Sequence, residues 1–251
     1  MTLKKTLASS GITNSNDPLI SIILVCLNSE KTIEQTIQSI IHLDYPNIEL
    51  IVIDGDSGDG TPDILNSYKR FINRLVVEKD SGIYDAMNKG VKLAAGDFLY
   101  FIGADDIIIN SWGNLSGKLK LSNTVYYGNV YFPVTNQIYD GKFSFTRLLN
   151  KNICHQAIFY PKAVFEKYQY TNEYPLVADY YLNLLINSDP DFKFKFIDVL
   201  IAVFSEKGIS NNMHDNKFHK DHLKIIKENY SYIFYIYLYL RKIYEKWLPF
   251  F

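Results

Sequence analysis

The sequence predicts an α/β fold: a mostly parallel central sheet flanked by helices, with a helical appendage at the C-terminal end. Three patterns predict it. Short apolar runs such as Leu19–Leu27 and Phe98–Ile102 have the length and continuity of strands covered on both faces. Between them, apolar residues recur every three or four positions, as on one side of a helix. The resulting order of strand, helix, strand, helix implies right-handed crossovers and parallel pairing. Finally, the predicted strands end in Asn28, Asp54, Glu78–Asp80 and Asp105–Asp106, and open parallel sheets bind ligands beyond the carboxyl ends of their strands.

Taken in order, Leu19–Leu27 is broken only by Ser21, and Ser29 is a candidate helix N-cap. Ile33, Ile37, Ile40 and Ile41 then keep helical spacing until Asp44-Tyr45-Pro46-Asn47 interrupts it. Glu49–Ile53 reads as the second strand, with Thr61-Pro62 capping and opening the next helix. Arg74–Val77 is a third strand, Ile83–Ala95 a helix stopped by Gly96, and Phe98–Ile102 a fourth strand. Further on, Val125–Val134 and Ile153–Tyr160 read as strands, Lys162–Tyr168 and Val177–Asn187 as helices, and Phe192–Phe204 as one or two more strands. No internal repeat is found.

Composition excludes several classes. At 251 residues the chain is long enough to bury a sizeable core. A formal net charge of -1 lacks the basic excess that binding nucleic acid requires. Cys26 and Cys154 lie in apolar surroundings and read as reduced, buried thiols. Residues 1–18 form a polar leader without the apolar run of a signal peptide, and no continuous run is long enough to span a bilayer. The expected location is the cytoplasm.

The run Glu78–Asp106 gathers most of the chemistry. A buried strand that ends in adjacent carboxylates needs water, donors or a cation to neutralise them, and an all-oxygen site suits Mg2+ or Mn2+. A solvated acidic turn is the simpler alternative. Two look-alikes fail. Asp54–Gly60 resembles a calcium loop, but Gly58 and Asp59 are out of register and Leu65 stands where the closing Glu belongs. The first strand also lacks the glycine-rich turn on which dinucleotide enzymes and many nucleotidyltransferases hold phosphates.

Together, Leu27-Asn28-Ser29-Glu30, Glu49 to Thr61, Gly82-Ile83-Tyr84-Asp85-Ala86-Met87-Asn88-Lys89-Gly90 and Ala104-Asp105-Asp106 resemble the signature segments of family 2 glycosyltransferases. The resemblance covers about Leu19 to Ser210. It implies a GT-A fold, with a nucleotide-binding half at residues 19–106 and an acceptor half at 107–210. It also implies inverting sugar transfer from a nucleotide-sugar, with a UDP-sugar favoured, to a glycan or lipid-linked acceptor. Leu27, Asn28, Glu30, Asp54, Asp80, Asn88, Asp105 and His155 fall at donor-binding positions. Asp106 matches the direct ligand of a Mn2+ or Mg2+ cofactor, and His214 is placed to complete the metal shell. The first position of the acidic motif is Ala104 here.

An inverting displacement needs a carboxylate to take the acceptor's proton, and Asp179 is the candidate. A helix N-cap is its plainer reading. The family's base is usually preceded by Glu, where this chain has Ala178. His155-Gln156 resembles a pair that lines the cleft ahead of the base, although a core histidine fits the spacing equally well. His214, His219 and His222 fit a solvated polar segment as readily as a metal shell.

Residues 211–251 form a separate helical, aromatic and basic tail. In it, Arg241, Lys242, Glu245 and Lys246 fall on one helical side, and Ile243, Tyr244, Trp247 and Leu248 on the other. Such a helix suits peripheral contact with the inner face of the cytoplasmic membrane through residues 230–251. It suits equally a contact with its own domain or with a second copy in a homodimer. The alternative to a metal-dependent transferase is a non-catalytic partner that binds a nucleotide-sugar and docks a second transferase. A nucleotidyltransferase is a third reading.

Overall fold

The computed structural model describes residues 17–138, 141–205 and 215–247. Four strands alternate with three helices along the first half: β1 (Ile20–Cys26), α1 (Ile33–Ile41), β2 (Ile48–Asp54), α2 (Thr61–Ser67), β3 (Arg74–Val77), α3 (Ile83–Leu93) and β4 (Phe98–Gly103). The strands pair in parallel in the order β3-β2-β1-β4. Their carboxyl ends are level, with Cys26 opposite Asp54, Asp54 opposite Val77, and Val25 opposite Gly103. The loops that follow therefore emerge side by side.

Strand alternation divides the core. Ile22, Leu24 and Tyr100 pack on the α1 side with Trp112, while Ile23, Val25 and Phe101 pack on the side of α3. Here α3 lies close on β1, since a Cβ on Gly90 would stand 2.4 Å from Ile23 Cγ2. Ser21, the single polar residue of β1, is buried but satisfied: it bonds Glu49 and accepts from the Gly96 amide at 2.9 Å.

The second half extends the same sheet through β5 (Ile107–Ile108), β6 (Thr124–Phe132), β7 (Gln137–Ile138), α4 (Phe145–Leu148), β8 (Ile158–Pro161), α5 (Lys162–Lys167), α6 (Ala178–Ser188) and β9 (Lys193–Val203). The order continues β4-β8-β6-β9-β5, with β7 on β6. β8 runs antiparallel to both β4 and β6, whereas β6 and β9 are parallel.

Several boundaries differ from the sequence reading. Residue 32, not Ser29, precedes α1, and the carbonyl of Ser29 accepts from Thr32 and Ile33 in the turn before the helix. Thr61 is the first residue of α2 and not its cap. Ile153–Tyr160 is not one strand. A 3-10 turn at His155–Ala157 precedes β8, because the side chains of this stretch are held by the site described below. Phe192–Phe204 forms one strand.

In the tail, α7 (Asn216–Asn229) and α8 (Tyr232–Trp247) build a third apolar cluster against α6, through Leu184, Phe218, Ile226 and Leu238. His222 is buried there between the rings of Tyr180 and Phe218. Burial, aided by the charge of Lys242, pushes its imidazole down to about 4. His214 and residues 1–16 lie outside the described residues.

Two stability predictions follow from this packing. Gly90→Ala should lower the unfolding free energy by about 1–3 kcal/mol through overpacking against Ile23, as read by urea titration. His222 stays neutral when folded but takes a proton when unfolded below about pH 6.5. Stability should therefore fall as pH drops from there towards 4, by on the order of 2 kcal/mol. His222→Phe should flatten that slope.

Candidate active site

Two loops interlock at the carboxyl ends of β1 and β2. Asn28 adopts a left-handed backbone, φ 49°, and its Oδ1 accepts from the Gly58 amide at 2.9 Å. The Asn28 and Ser29 amides donate to Ser57 Oγ and Thr61 Oγ1, each at 2.8 Å. Glu30 Oε2 accepts from Gly60 at 2.9 Å. Asn28 and Glu30 thus fix the shape of the 57–61 loop, and the exposed Leu27 lies beside them.

Asp54 is fully buried beneath this loop. Its Oδ1 accepts from the Ser57 amide and hydroxyl, and its Oδ2 is buried without a hydrogen-bond partner. Burial and the Asp54 charge push the neighbouring Cys26 thiol well up, so it is no nucleophile. Asp80 leans over Gly55, where a Cβ would meet its Oδ2 at 2.6 Å, and its Oδ1 accepts from Gly82 at 3.0 Å. Gly55 has no side chain to hold that carboxylate away. Asn88, by contrast, pairs its side-chain amide with both backbone groups of Tyr170, at 2.8 and 3.1 Å. It ties α3 to the second half of the chain.

After β4, Asp105 is exposed and Asp106 is 3% exposed. Thr36 of α1 holds the turn by donating to the carbonyls of Ala104 and Asp106, at 2.9 and 2.8 Å. The Asp106 carboxylate accepts from Gln156 Nε2 at 2.7 Å and from the Ser205 amide at 2.9 Å. Burial raises its pKa despite these donors. The adjacent imidazole of His155 attracts the charge, and its Nε2 is buried without a partner.

Asp179 sits one residue inside α6 and is 7% exposed. It is not the N-cap, a position held by Val177. Its Oδ1 accepts from the Tyr84 hydroxyl at 2.8 Å and its Oδ2 from Asn152 Nδ2 at 2.7 Å. Asn152 accepts in turn from Asn183 at 2.8 Å, and Asn183 from Tyr160 at 2.9 Å. The Tyr84 hydroxyl, buried beside this carboxylate, has its pKa raised well above the usual phenol value and stays a donor.

One short segment therefore holds two of the buried carboxylates: Asn152 reaches Asp179, and Gln156 reaches Asp106. Cys154 between them feels both charges. The sequence marked Asp179 and the His155-Gln156 pair but not the function of Tyr84 or Asn152. Tyr84 at least lies in the Gly82–Gly90 signature, whereas nothing in the sequence around Asn152 distinguishes it.

Among the described residues no three His, Cys, Asp or Glu side chains cluster as a complete metal shell. Asp105 and Asp106 nevertheless suit a hard divalent cation, which commonly takes one or two carboxylates and completes its shell with water and substrate phosphates.

Residues 21–162 match the family described as Glycosyl transferase family 2. A PGL/p-HBAD biosynthesis glycosyltransferase of Mycobacterium bovis (strain BCG / Pasteur 1173P2) is 36% identical over 214 residues, covering 81% of this chain and 83% of that protein. The Escherichia coli UDP-Glc:alpha-D-GlcNAc-diphosphoundecaprenol beta-1,3-glucosyltransferase WfgD is 36% identical over 131 residues, or 51% of each chain. Among solved structures, Staphylococcus aureus TarS 1-349 in complex with UDP superposes with a TM-score of 0.63 at 19% identity, covering 83% of this chain and 64% of that one. At that identity the likeness speaks to the fold, and the chain spans less than two thirds of that structure.

The hydrogen-bonded segment makes its own prediction. Asn152→Ala and Gln156→Ala each leave a buried carboxylate short of a donor, so each should lower the unfolding free energy by about 1–3 kcal/mol in urea titration.

Proposed function

Because the chain belongs to glycosyl transferase family 2, we propose that it is an inverting transferase that moves a sugar from a UDP-sugar to a hydroxyl of a lipid-linked or glycan acceptor. The observation that carries this reading is the pair of buried carboxylates, Asp106 and Asp179, held by one segment but supplied with different donors. In this reading Asp106, just after β4, serves the nucleotide side, and Asp179, on α6, serves the acceptor side.

In this reading the loops after β1 and β2 take the nucleoside. The partnerless Oδ2 of Asp54 and the carboxylate of Asp80 are acceptors suited to base N–H and ribose hydroxyls. Asp106, with Asp105, would hold a divalent cation against the diphosphate; when bound, the cation offsets the charge that develops on the leaving group. Asp179 accepts the proton of the acceptor hydroxyl. That oxygen bonds to the anomeric carbon as the sugar–phosphate bond breaks, and the nucleoside diphosphate leaves with the bonding electrons.

Tyr84 and Asn152 position this base. Two neutral donors replace the hydration of its carboxylate and fix its plane. WfgD is named for a diphosphoundecaprenol acceptor and for UDP-Glc, and the TarS structure is titled as a complex with UDP. Those names support the donor and acceptor classes proposed here.

The test is a donor panel of UDP-, GDP- and dTDP-sugars with Mn2+ or Mg2+, a lipid-linked acceptor, and detection of released nucleoside diphosphate. Turnover with one UDP-sugar is expected. Asp179→Asn should lower kcat by roughly 10²–10⁴ while nucleotide affinity stays within a few-fold. Asp106→Ala should remove the stimulation by metal. Full turnover by Asp179→Asn would reassign the base.

A further inference from the structure

We infer, on the reading that Asp80 takes part of the nucleoside, that Lys89 of α3 is a positioning residue of the donor site. Its ammonium holds the turn between β3 and α3 in the shape that presents the Asp80 carboxylate.

Lys89 stands in the middle of α3, one turn after Asp85 on the same side of the helix. Its side chain is only 19% exposed and runs back to the turn that precedes the helix. There Nζ donates to the Lys79 carbonyl at 2.7 Å and lies 3.0 Å from Glu78 Oε1 and 3.6 Å from Asp85 Oδ2. An ammonium offers three protons and no acceptor, and here it faces three oxygens. Burial opposes its charge, but the bond to Glu78 and the charges of Asp85, Glu78 and Asp80 outweigh that and raise its pKa.

These contacts fix the turn residue by residue. Glu78 is held at its amide, which donates to the Asp54 carbonyl at 3.0 Å, and at its carboxylate by Lys89. Lys79 is held at its carbonyl, also by Lys89. Asp85, which Lys89 faces, accepts from the Ser81 amide at 3.0 Å. Asp80 is therefore bracketed by two residues that Lys89 or its carboxylate partner holds. Its Oδ1 accepts from Gly82, and its Oδ2 leans over Gly55 at the end of β2. The anchor is itself fixed, since Asn88 pairs with Tyr170 and Gly90 lies against Ile23.

Charge makes Lys89 more than a tether. Glu78, Asp80 and Asp85 set three carboxylates around one turn, and a nucleoside diphosphate brings more negative charge to the same rim. The ammonium between Glu78 and Asp85 offsets a repulsion that would spread the turn and carry Asp80 away from Gly55. Glu78 is 55% exposed, and a surface ion pair of that kind contributes little by itself. The shielded ammonium and its bond to a backbone carbonyl set this lysine apart.

The experiment is calorimetric titration of UDP, with Mn2+ present, into the full chain and into Lys89→Met, Lys89→Arg, Asp80→Asn and the double variant Lys89→Met with Asp80→Asn. Lys89→Met keeps most of the side-chain length but removes the charge, and should weaken UDP binding roughly three- to tenfold. Lys89→Arg, which keeps the charge, should recover most of that loss. In the Asp80→Asn background Lys89→Met should weaken binding by at most about twofold more, because it acts through that carboxylate. A lysine that only stabilises the fold would behave differently: Lys89→Met would lower the urea midpoint with UDP affinity unchanged, or would weaken binding equally in both backgrounds. Either result would overturn the inference alone, since the native chain would still bind UDP. Absence of UDP binding by the native chain would instead overturn the donor reading, and this assignment with it.

Discussion

Burying a carboxylate away from water is unfavourable unless donors replace its hydration, and the junction between the two halves of this molecule is built around that requirement. Asp179 receives one donor from Tyr84, on the first turn of α3, and another from Asn152, ahead of β8. Each of those partners is fixed independently: α3 lies close on β1 at Gly90, while Asn152 is held through Asn183 and Tyr160. The carboxylate is thus an anchor for both halves, and shifting either half would leave an uncompensated charge.

The same rule governs Asp106, with different donors. Gln156 and the Ser205 amide hold its carboxylate, and Thr36 holds its backbone. Burial raises its pKa, a cost that a nearby cation would offset. Asp54 is the third buried carboxylate at the rim, with one oxygen satisfied and one without a partner.

Away from the site, α7 and α8 pack against the second half of the chain. Phe218, Ile226 and Leu238 close an apolar cluster over α6, the helix that carries Asp179. The tail is therefore joined to the helix of the site, while its aromatic outer face stays uncovered.

The sequence by itself determined the parallel half of the sheet. Continuous apolar runs and three- to four-residue spacing depend on local chemistry, and level strand ends follow from parallel pairing. It also marked Asp54, Asp80, Asp105 and Asp106, because a carboxylate at the end of an apolar strand is conspicuous without any neighbour, and it marked Asp179 through the family resemblance. Only the tertiary structure decided what satisfies them. Tyr84 and Asp179 are 95 residues apart, and Gln156 and Asp106 are 50 apart. Asn152 carries no local signal because an asparagine in a loop usually serves its own turn. The break of Ile153–Tyr160 into a 3-10 turn and a short strand has the same origin, since Gln156 is drawn to a distant carboxylate. Periodicity reports which side of an element is buried, whereas a hydrogen bond across the fold depends on where two elements meet, and that is set by packing.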